Sequence, residues 1–426
     1  MNPAMLPAQE AEALILDLVQ PFNSQHEGEV VALRSALGRI LATPVIGAID
    51  FPHWDNSAMD GYAVRYEDVK DCSPAAPVTL TIAEEIPAGY QPQKTIQTGE
   101  TARILTGSML PAGADTIVIQ ENTRREGDRV TVLAAPAPNA FVRRRAEYYE
   151  AGTPLLAAGT LLAAPEIAVL ATAQCTEVPV YRRLRVALFS TGSELISPDQ
   201  RLQPGQIVDS NQYALAALVA QTGAEPVALG IVPDQPSALQ SAIAEAIGTA
   251  DVVLSSGGVS VGDYDYVDRI LAELGAEIHI RAVAIKPGKP LTVATFENAD
   301  ASQRPILYFG LPGNPVSALV TFWRFVQPAL RKLSGLKESW QPTTVQGRTR
   351  QLLRSDGKRE TYLWGRVYLI NGAYEFELAG GSHSSGNLIN LAQTNGLAVL
   401  SIGQTEVAEG KSVPIMLVGA PIMARN

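Results

Sequence analysis

Between Leu184 and Trp323 the chain alternates short apolar runs with stretches of helical periodicity, and several of those runs end in glycine-containing turns. Residues 185–189, 227–232, 252–254, 291–295 and 306–309 have the content of buried strands. Residues 211–221, 237–247 and 266–274 instead space their apolar side chains as helices do. Repeated strand–helix units predict a mostly parallel sheet with ligands at the carboxyl ends of its strands. The turns at 190–194, 255–265 and 310–315 are therefore expected to share one rim.

The chemistry of those turns is specific. In Ser255-Ser256-Gly257-Gly258-Val259-Ser260-Val261-Gly262-Asp263-Tyr264-Asp265 the glycines let backbone N–H groups approach an anion, and the two aspartates are carboxylates of the kind that hold Mg²⁺. In Gly310-Leu311-Pro312-Gly313-Asn314-Pro315, Asn314 suits a helix N-cap and Pro315 the first helical position. The segment Ile285-Lys286-Pro287-Gly288-Lys289-Pro290 holds two ammonium groups between stiffening prolines, a geometry suited to phosphate. Together with Asp60, Glu194 and Asp234, these residues suit Mg²⁺-assisted handling of a phosphate or pyrophosphate. A competing reading is a serine hydrolase, because Gly258-Val259-Ser260-Val261-Gly262 fits the nucleophile-elbow pattern. Against it, Asp263 and Asp265 would oppose an alkoxide on Ser260, and neither His279 nor His383 lies in a segment resembling a base loop. Walker A and G-x-G-x-x-G patterns are absent.

At 426 residues the chain is long for a single core. Helices are expected over 11–18, 32–41 and 165–173, and β-rich runs with Pro and Gly between 78 and 133 point to a small β domain. The segment 51–64 is too rich in Asp, Asn and Gly to be expected as a core strand, although Trp54, Met59 and Tyr62 give it unusual apolar content for a loop. Beyond 330 the pattern is β again, with Asn371-Gly372 as a two-residue hairpin signal. Two cysteines and four scattered histidines argue against thiolate or histidine metal chemistry. A net charge of −10 argues against wholesale nucleic-acid binding, although basic residues such as Arg143-Arg144-Arg145 could clamp a small anion. The chain has no apolar run of membrane-spanning length and no basic-then-apolar leader in its first ten residues, so no membrane partner and a cytoplasmic location are expected.

Eight ordered motifs resemble those of the molybdopterin molybdenumtransferase (MoeA) family, to which the C-terminal domain of gephyrin also belongs. They are Asp55 to Ala63, Leu105-Thr106-Gly107, Ser190 to Leu195, Asp209-Ser210-Asn211, Gly230 to Asp234, Ser256 to Asp265, Ile285 to Pro290 and Gly310 to Pro315. The resemblance implies a multidomain α/β protein: a three-layer α/β molybdopterin-binding domain at 178–328, a β-rich insert at 51–140, a discontinuous helical and linker domain at 1–50 plus 141–177, and a C-terminal β-barrel-like domain at 329–426. It implies a homodimer that inserts molybdenum from molybdate into adenylylated molybdopterin and releases AMP with Mg²⁺. Its partners would be a molybdopterin adenylyltransferase upstream and molybdoenzymes downstream. Carried onto this sequence, the catalytic group would be Asp60, Thr106, Glu194, Asp234 and Asp265, with Asp263, Asp265 and Glu194 toward the metal. Substrate contacts would come from Ser256, Gly257, Gly258, Ser260, Lys286, Lys289, Pro312, Pro315, Ser385 and Arg144. Two departures stand out: Ala146-Glu147-Tyr148 replaces the family's Gly-Glu-Asp, removing an acid beside the arginines, and Gly386 stands where a second serine often follows Ser385. Tyr148 motivates a second reading, a cofactor-binding or scaffolding paralogue with weak catalysis.

Overall fold

The computed structural model of the chain describes residues 5–257, 264–298 and 304–423, the side chains of residues 264–266 excepted. Its centre is a sheet in the order Glu225–Val232, Arg185–Thr191, Val252–Ser256, Ile306–Leu311, Pro290–Phe296 and Ala276–Ala282. The first four strands run parallel, and the last two are antiparallel at one edge.

Alternation along each strand sends side chains to two separate cores. Val186, Leu188, Val252, Leu254, Leu307 and Phe309 face helix Asn211–Gln221 and the helix that begins at Pro315. Ala187, Phe189, Val253 and Tyr308 face helix Pro236–Thr249 and helix Tyr264–Glu273. The mostly parallel sheet is what the alternating pattern predicts, and the three layers are what the family resemblance implies. The last helical stretch runs on through a wide turn at Phe322–Val326 into Gln327–Leu333, and Pro328, which has no N–H to donate, lies just beyond the widened turn.

The first helix, Ala8–Leu18, forms where its periodicity predicts. Its buried face, Ala8, Ala11 and Ile15, joins the α/β core, and Glu12 pairs with Arg324 at 2.7 Å. The helix expected over 32–41 does not form. Gly28–Ala32 is instead a strand paired with Glu177–Tyr181, followed by a single tight turn at Leu33–Ser35. Gly38, with φ of 73°, then redirects the chain so that Leu41 bridges to Val180.

In the β-rich insert the strand order is Thr116–Ile119, Gly61–Val64, Glu100–Ile104, Val78–Ile86, Arg129–Val132 and Thr123–Glu126. Gly61–Val64 corrects the loop expectation for 51–64: it is an interior strand with all four residues buried. Tyr62 and Val64 enter one small core and Ala63 the other. A Cβ on Gly61 would lie 2.1 Å from the Val118 carbonyl oxygen, so the glycine that looked like a turn signal is a packing requirement.

At the C-terminus, strands Glu360–Ile370, Ala373–Leu378, Thr344–Thr349, Ser412–Leu417 and Gly396–Leu400 pair in that order, and the last returns to the first. The result is a closed five-stranded barrel. The hairpin falls at Asn371 and Gly372, with φ of 50° and 80°, as its dipeptide predicts.

Ala146 is held at φ 63° while its N–H donates to the Pro52 carbonyl. That conformation costs a residue with a Cβ about 1–2 kcal/mol. Ala146→Gly is expected to stabilise the protein by about 1 kcal/mol after the extra unfolded-state entropy of glycine is subtracted, read as a raised thermal or urea midpoint.

A candidate active site at the carboxyl ends of the strands

Where the parallel strands end, their turns enclose a cleft of about 790 Å³. Its lining includes Thr191 and Glu194 after one strand, Asp234 after the next, Ser256 and Gly257 after the third, and Pro312 to Pro315 after the fourth. Gly257, with φ of 95°, sits so close that a Cβ would meet the Thr191 carbonyl oxygen at 2.3 Å. Glycine is needed there to bring two strand ends together.

Asn211 ties the turns to each other. Its amide donates to Ser256 Oγ at 2.6 Å and to the Gly313 carbonyl at 2.9 Å. Asp209 accepts from Ser190 Oγ at 3.0 Å and from the Gln212 N–H at 3.2 Å, which also caps the following helix. Asp209 Oδ2, Asn211 Oδ1 and Thr191 Oγ1 are buried with no hydrogen-bond partner among the described residues. Unpaired acceptors in the lining of a cleft suit a ligand rich in N–H donors. On the rim, Glu194 and Asp234 are exposed carboxylates, and the Ser193 N–H reaches Asp234 Oδ2 at 3.4 Å.

A second pocket of about 400 Å³ continues from the first across Pro290, Asn314 and Ser317. Lys286, Lys289, Arg359, His383, Ser384 and Ser385 line it, giving cations and hydroxyls suited to a tetrahedral oxyanion. The barrel supplies its outer wall. The Ser385 carbonyl accepts the Val316 N–H at 3.1 Å, docking the 384–386 loop onto the helix start. A Cβ at Gly386 would come no closer than 3.8 Å to Asn314 Oδ1, so the missing serine leaves room and creates no strain.

Asp60 and Thr106 lie together in the insert and line neither pocket. The Thr106 hydroxyl and N–H both donate to Asp60 Oδ1 at 2.7 Å. Those two bonds, the hydroxyl first, hold the Asp60 carboxyl below the usual carboxylate range.

Arg144 and Arg145 keep their counter-charges despite Tyr148. Arg144 reaches Asp55 Oδ2 at 2.6 Å, the Arg145 N–H reaches Asp55 Oδ1 at 2.7 Å, and Arg145 Nε reaches Asp50 Oδ2 at 2.5 Å. Partial burial pushes Asp55 upward, but the Arg145 N–H and the Arg144 guanidinium outweigh it and hold the carboxyl low. Tyr148 is exposed, with its ring 5.8 Å from that of Phe51.

Family models match almost the whole chain: the MoeA N-terminal region (domains I and II) at 6–173, a probable molybdopterin binding domain at 187–332, and the MoeA C-terminal region (domain IV) at 346–418. A molybdopterin molybdenumtransferase of Nostoc sp. is 61% identical over 97% of this chain and 94% of its own length. The chain belongs to the molybdopterin molybdenumtransferase (MoeA) family. Another family member, from Haemophilus influenzae, is 35% identical over 96% of this chain and 98% of its own. The crystal structure of the molybdopterin biosynthesis MoeA protein from Pyrococcus horikoshii superposes with a TM-score of 0.82 at 29% identity, covering 97% of this chain and 100% of that one. The MoeA fold is therefore present over 97% of the chain, and the enzymes of the family are transferases of molybdenum cofactor biosynthesis.

Of the residues carried over from the family motifs, Glu194, Asp234, Ser256, Gly257, Pro312 and Pro315 line the cleft, and Lys286, Lys289 and Ser385 line the adjoining pocket. Asp60, Thr106 and Arg144 line neither. Gly258, Ser260 and Asp263 fall outside the described residues, as does the side chain of Asp265. Sequence reasoning passed over Ser190, Asp209, Asn211, Ser317, Arg359 and His383. Asp209-Ser210-Asn211 is one of the motifs shared with the family but received no site role, while Arg359 and His383 sit in the barrel segment with no local pattern to mark them.

Proposed function

We propose that this chain inserts molybdenum from molybdate into adenylylated molybdopterin and releases AMP. The observation that carries the reading is the continuity of an acid-rimmed cleft with a pocket of lysines, arginine and hydroxyls across Pro290, Asn314 and Ser317. The pterin, which is rich in N–H donors, suits the cleft where Asp209 Oδ2 and Asn211 Oδ1 lack partners among the described residues. Molybdate, a tetrahedral dianion, suits Lys286, Lys289, Arg359 and Ser385. The dithiolene of the pterin would take the metal, so no cysteine ligand is required of the protein.

Among the described residues no cluster of three or more His, Cys, Asp or Glu could hold a metal alone. Two rim carboxylates, Glu194 and Asp234, fit Mg²⁺, which commonly binds one or two carboxylates plus substrate phosphates. Such an ion would offset charge on the pyrophosphate link. The carboxylates would hold it, and the lysines would steady the oxyanion.

Asp60 and Thr106 line neither the cleft nor the adjoining pocket of their own chain, which supports a homodimer in which the insert of a second copy completes the site. The proposed setting is the cytoplasm, between a molybdopterin adenylyltransferase and the recipient molybdoenzymes; among the described residues no helix is long and apolar enough to cross a membrane. The scaffolding alternative rests on Tyr148, and the ion pairs of Arg144 and Arg145 with Asp50 and Asp55 weaken it.

Purified protein given adenylylated molybdopterin, molybdate and Mg²⁺ is expected to release AMP in proportion to molybdenum cofactor formed. Absence of AMP with substrate binding intact would favour the paralogue reading. Tyr148→Asp is expected to change the turnover of an active wild type by less than about threefold, because the arginines already have partners; a much larger rise would mean that the lost acid belongs to the site.

A further inference from the structure

Lys286 carries more constraint than its place in the pocket explains. Its Nζ donates to Asp356 Oδ2 at 3.0 Å, across the boundary between the α/β domain and the barrel. The other oxygen of Asp356 accepts the Lys358 N–H at 3.0 Å, so the carboxylate is fixed at both ends. Both cations of this wall act on it: the hydrogen bond from Lys286 first, then the Lys358 N–H, with the Lys286 and Arg359 charges adding to them, hold the Asp356 carboxyl below the usual carboxylate range. Lys286 and Arg359 line the oxyanion pocket, and Asp356 does not. The carboxylate engages the pocket's cations from outside the space that a ligand would fill.

We propose that Asp356 is a built-in competitor for the oxyanion: it holds part of the Lys286 charge, and a tetrahedral dianion must outcompete it to bind. This rests on the reading of the Lys286, Lys289 and Arg359 pocket as the molybdate site. The physical basis is charge sharing. An ammonium already paired to a carboxylate offers less net attraction to a second anion, and the two anions repel each other across it. Both partners are partly exposed, with side chains 47% and 33% accessible, so the competition is a matter of a few-fold in affinity and is screened by salt. Its effect would be to set a threshold that a dianion crosses more readily than a monoanion.

The opposite role is physically distinct: if Asp356 positions the Lys286 ammonium for the anion, its removal weakens binding. Equilibrium dialysis of molybdate alone against the full-length protein separates the two. Asp356→Asn keeps the shape and an acceptor for the Lys358 N–H while removing the charge. It is expected to bind molybdate about three- to fivefold more tightly than wild type at low salt, with the gain shrinking as ionic strength rises. In a Lys286→Met background the same substitution is expected to change little. Binding that is unchanged or weaker in Asp356→Asn overturns the proposal and leaves the molybdate pocket standing, as does a gain that persists undiminished in the Lys286→Met background. If neither wild type nor Asp356→Asn binds molybdate, the pocket reading falls and this proposal with it.

Discussion

Glu194→Gln is expected to lower AMP release by at least about a hundredfold while the protein folds and binds molybdate as wild type does. Glu194 is exposed on the rim, so the substitution removes a charge without opening a cavity. It lies over Gly192, where a Cβ would meet its Oε2 at 2.8 Å, so the turn is shaped to let this carboxylate fold back toward the cleft. With Asp234 it makes the pair of acids suited to Mg²⁺ on a pyrophosphate. Removing a single group that stabilises transition-state charge, such as one oxyanion-hole donor, typically costs about 10²–10³ in rate, and a loss of that order is expected for a carboxylate that holds the charge-offsetting ion. Raising Mg²⁺ should recover part of the loss if the defect is ion affinity. Measuring AMP release across a Mg²⁺ titration checks both statements, and wild-type rates in the variant would remove Glu194 from the site.

The second large effect concerns stability at the opposite end of the sheet. There a groove of about 860 Å³ is lined by Glu27, Arg182, Asp251 and Arg304, but these charges are paired with one another. Asp251 receives both arms of Arg182 at 2.7 Å, the Arg185 N–H at 2.8 Å and an arm of Arg304. Both guanidinium groups also cover the Phe22 ring, at 4.6 and 4.3 Å. Asp251→Asn breaks the centre of this cluster: Arg304 keeps Glu27, but the half-exposed Arg182 loses its carboxylate and the charge-assisted bonds to it, a loss of about 2 kcal/mol. The expected result is a clear drop in the thermal midpoint with little change in AMP release at temperatures where the variant stays folded.

The pH dependence follows from the same residue. Burial pushes Asp251 upward, but hydrogen bonds from Arg182 and the Arg185 N–H outweigh it, and the net shift is downward. The folded-state pKa therefore lies below the unfolded value of about 3.9. Its contribution is complete above that value and is lost as pH falls through the lowered folded one. Asp251→Asn should accordingly narrow the stability gap to wild type in strong acid, measured as denaturation midpoints from neutral pH to below pH 3.

Much of the α/β domain was legible because its signals are local. The strand cores 185–189 and 252–254 declare themselves by content, and, in the barrel, Asn371-Gly372 fixed its hairpin because few dipeptides tolerate two positive φ angles. Gly61–Val64 failed as a sequence reading because Asp, Asn and Gly signal turns, and its strand is imposed by neighbours at 100–104 and 116–119 on either side. The absent helix at 32–41 failed for a similar reason: Ala32 pairs with Glu177 and Leu41 bridges to Val180, contacts across about 140 residues that no local window contains.

The glycines, lysines and acids of the strand-end turns were fixed by sequence, because their chemistry is carried by residue type and short spacing. Which of them meet was a tertiary decision. The fold gathered Glu194, Asp234, Ser256 and Pro312 at one cleft, since parallel strands bring their carboxyl ends to the same edge. It brought Arg359, His383 and Ser385 from the barrel to Lys286 and Lys289, left Asp60 and Thr106 on the insert, and set Asp356 against Lys286. A lysine's charge is written in the chain; the carboxylate that shares it comes from 70 residues away, and only packing between two domains could choose it.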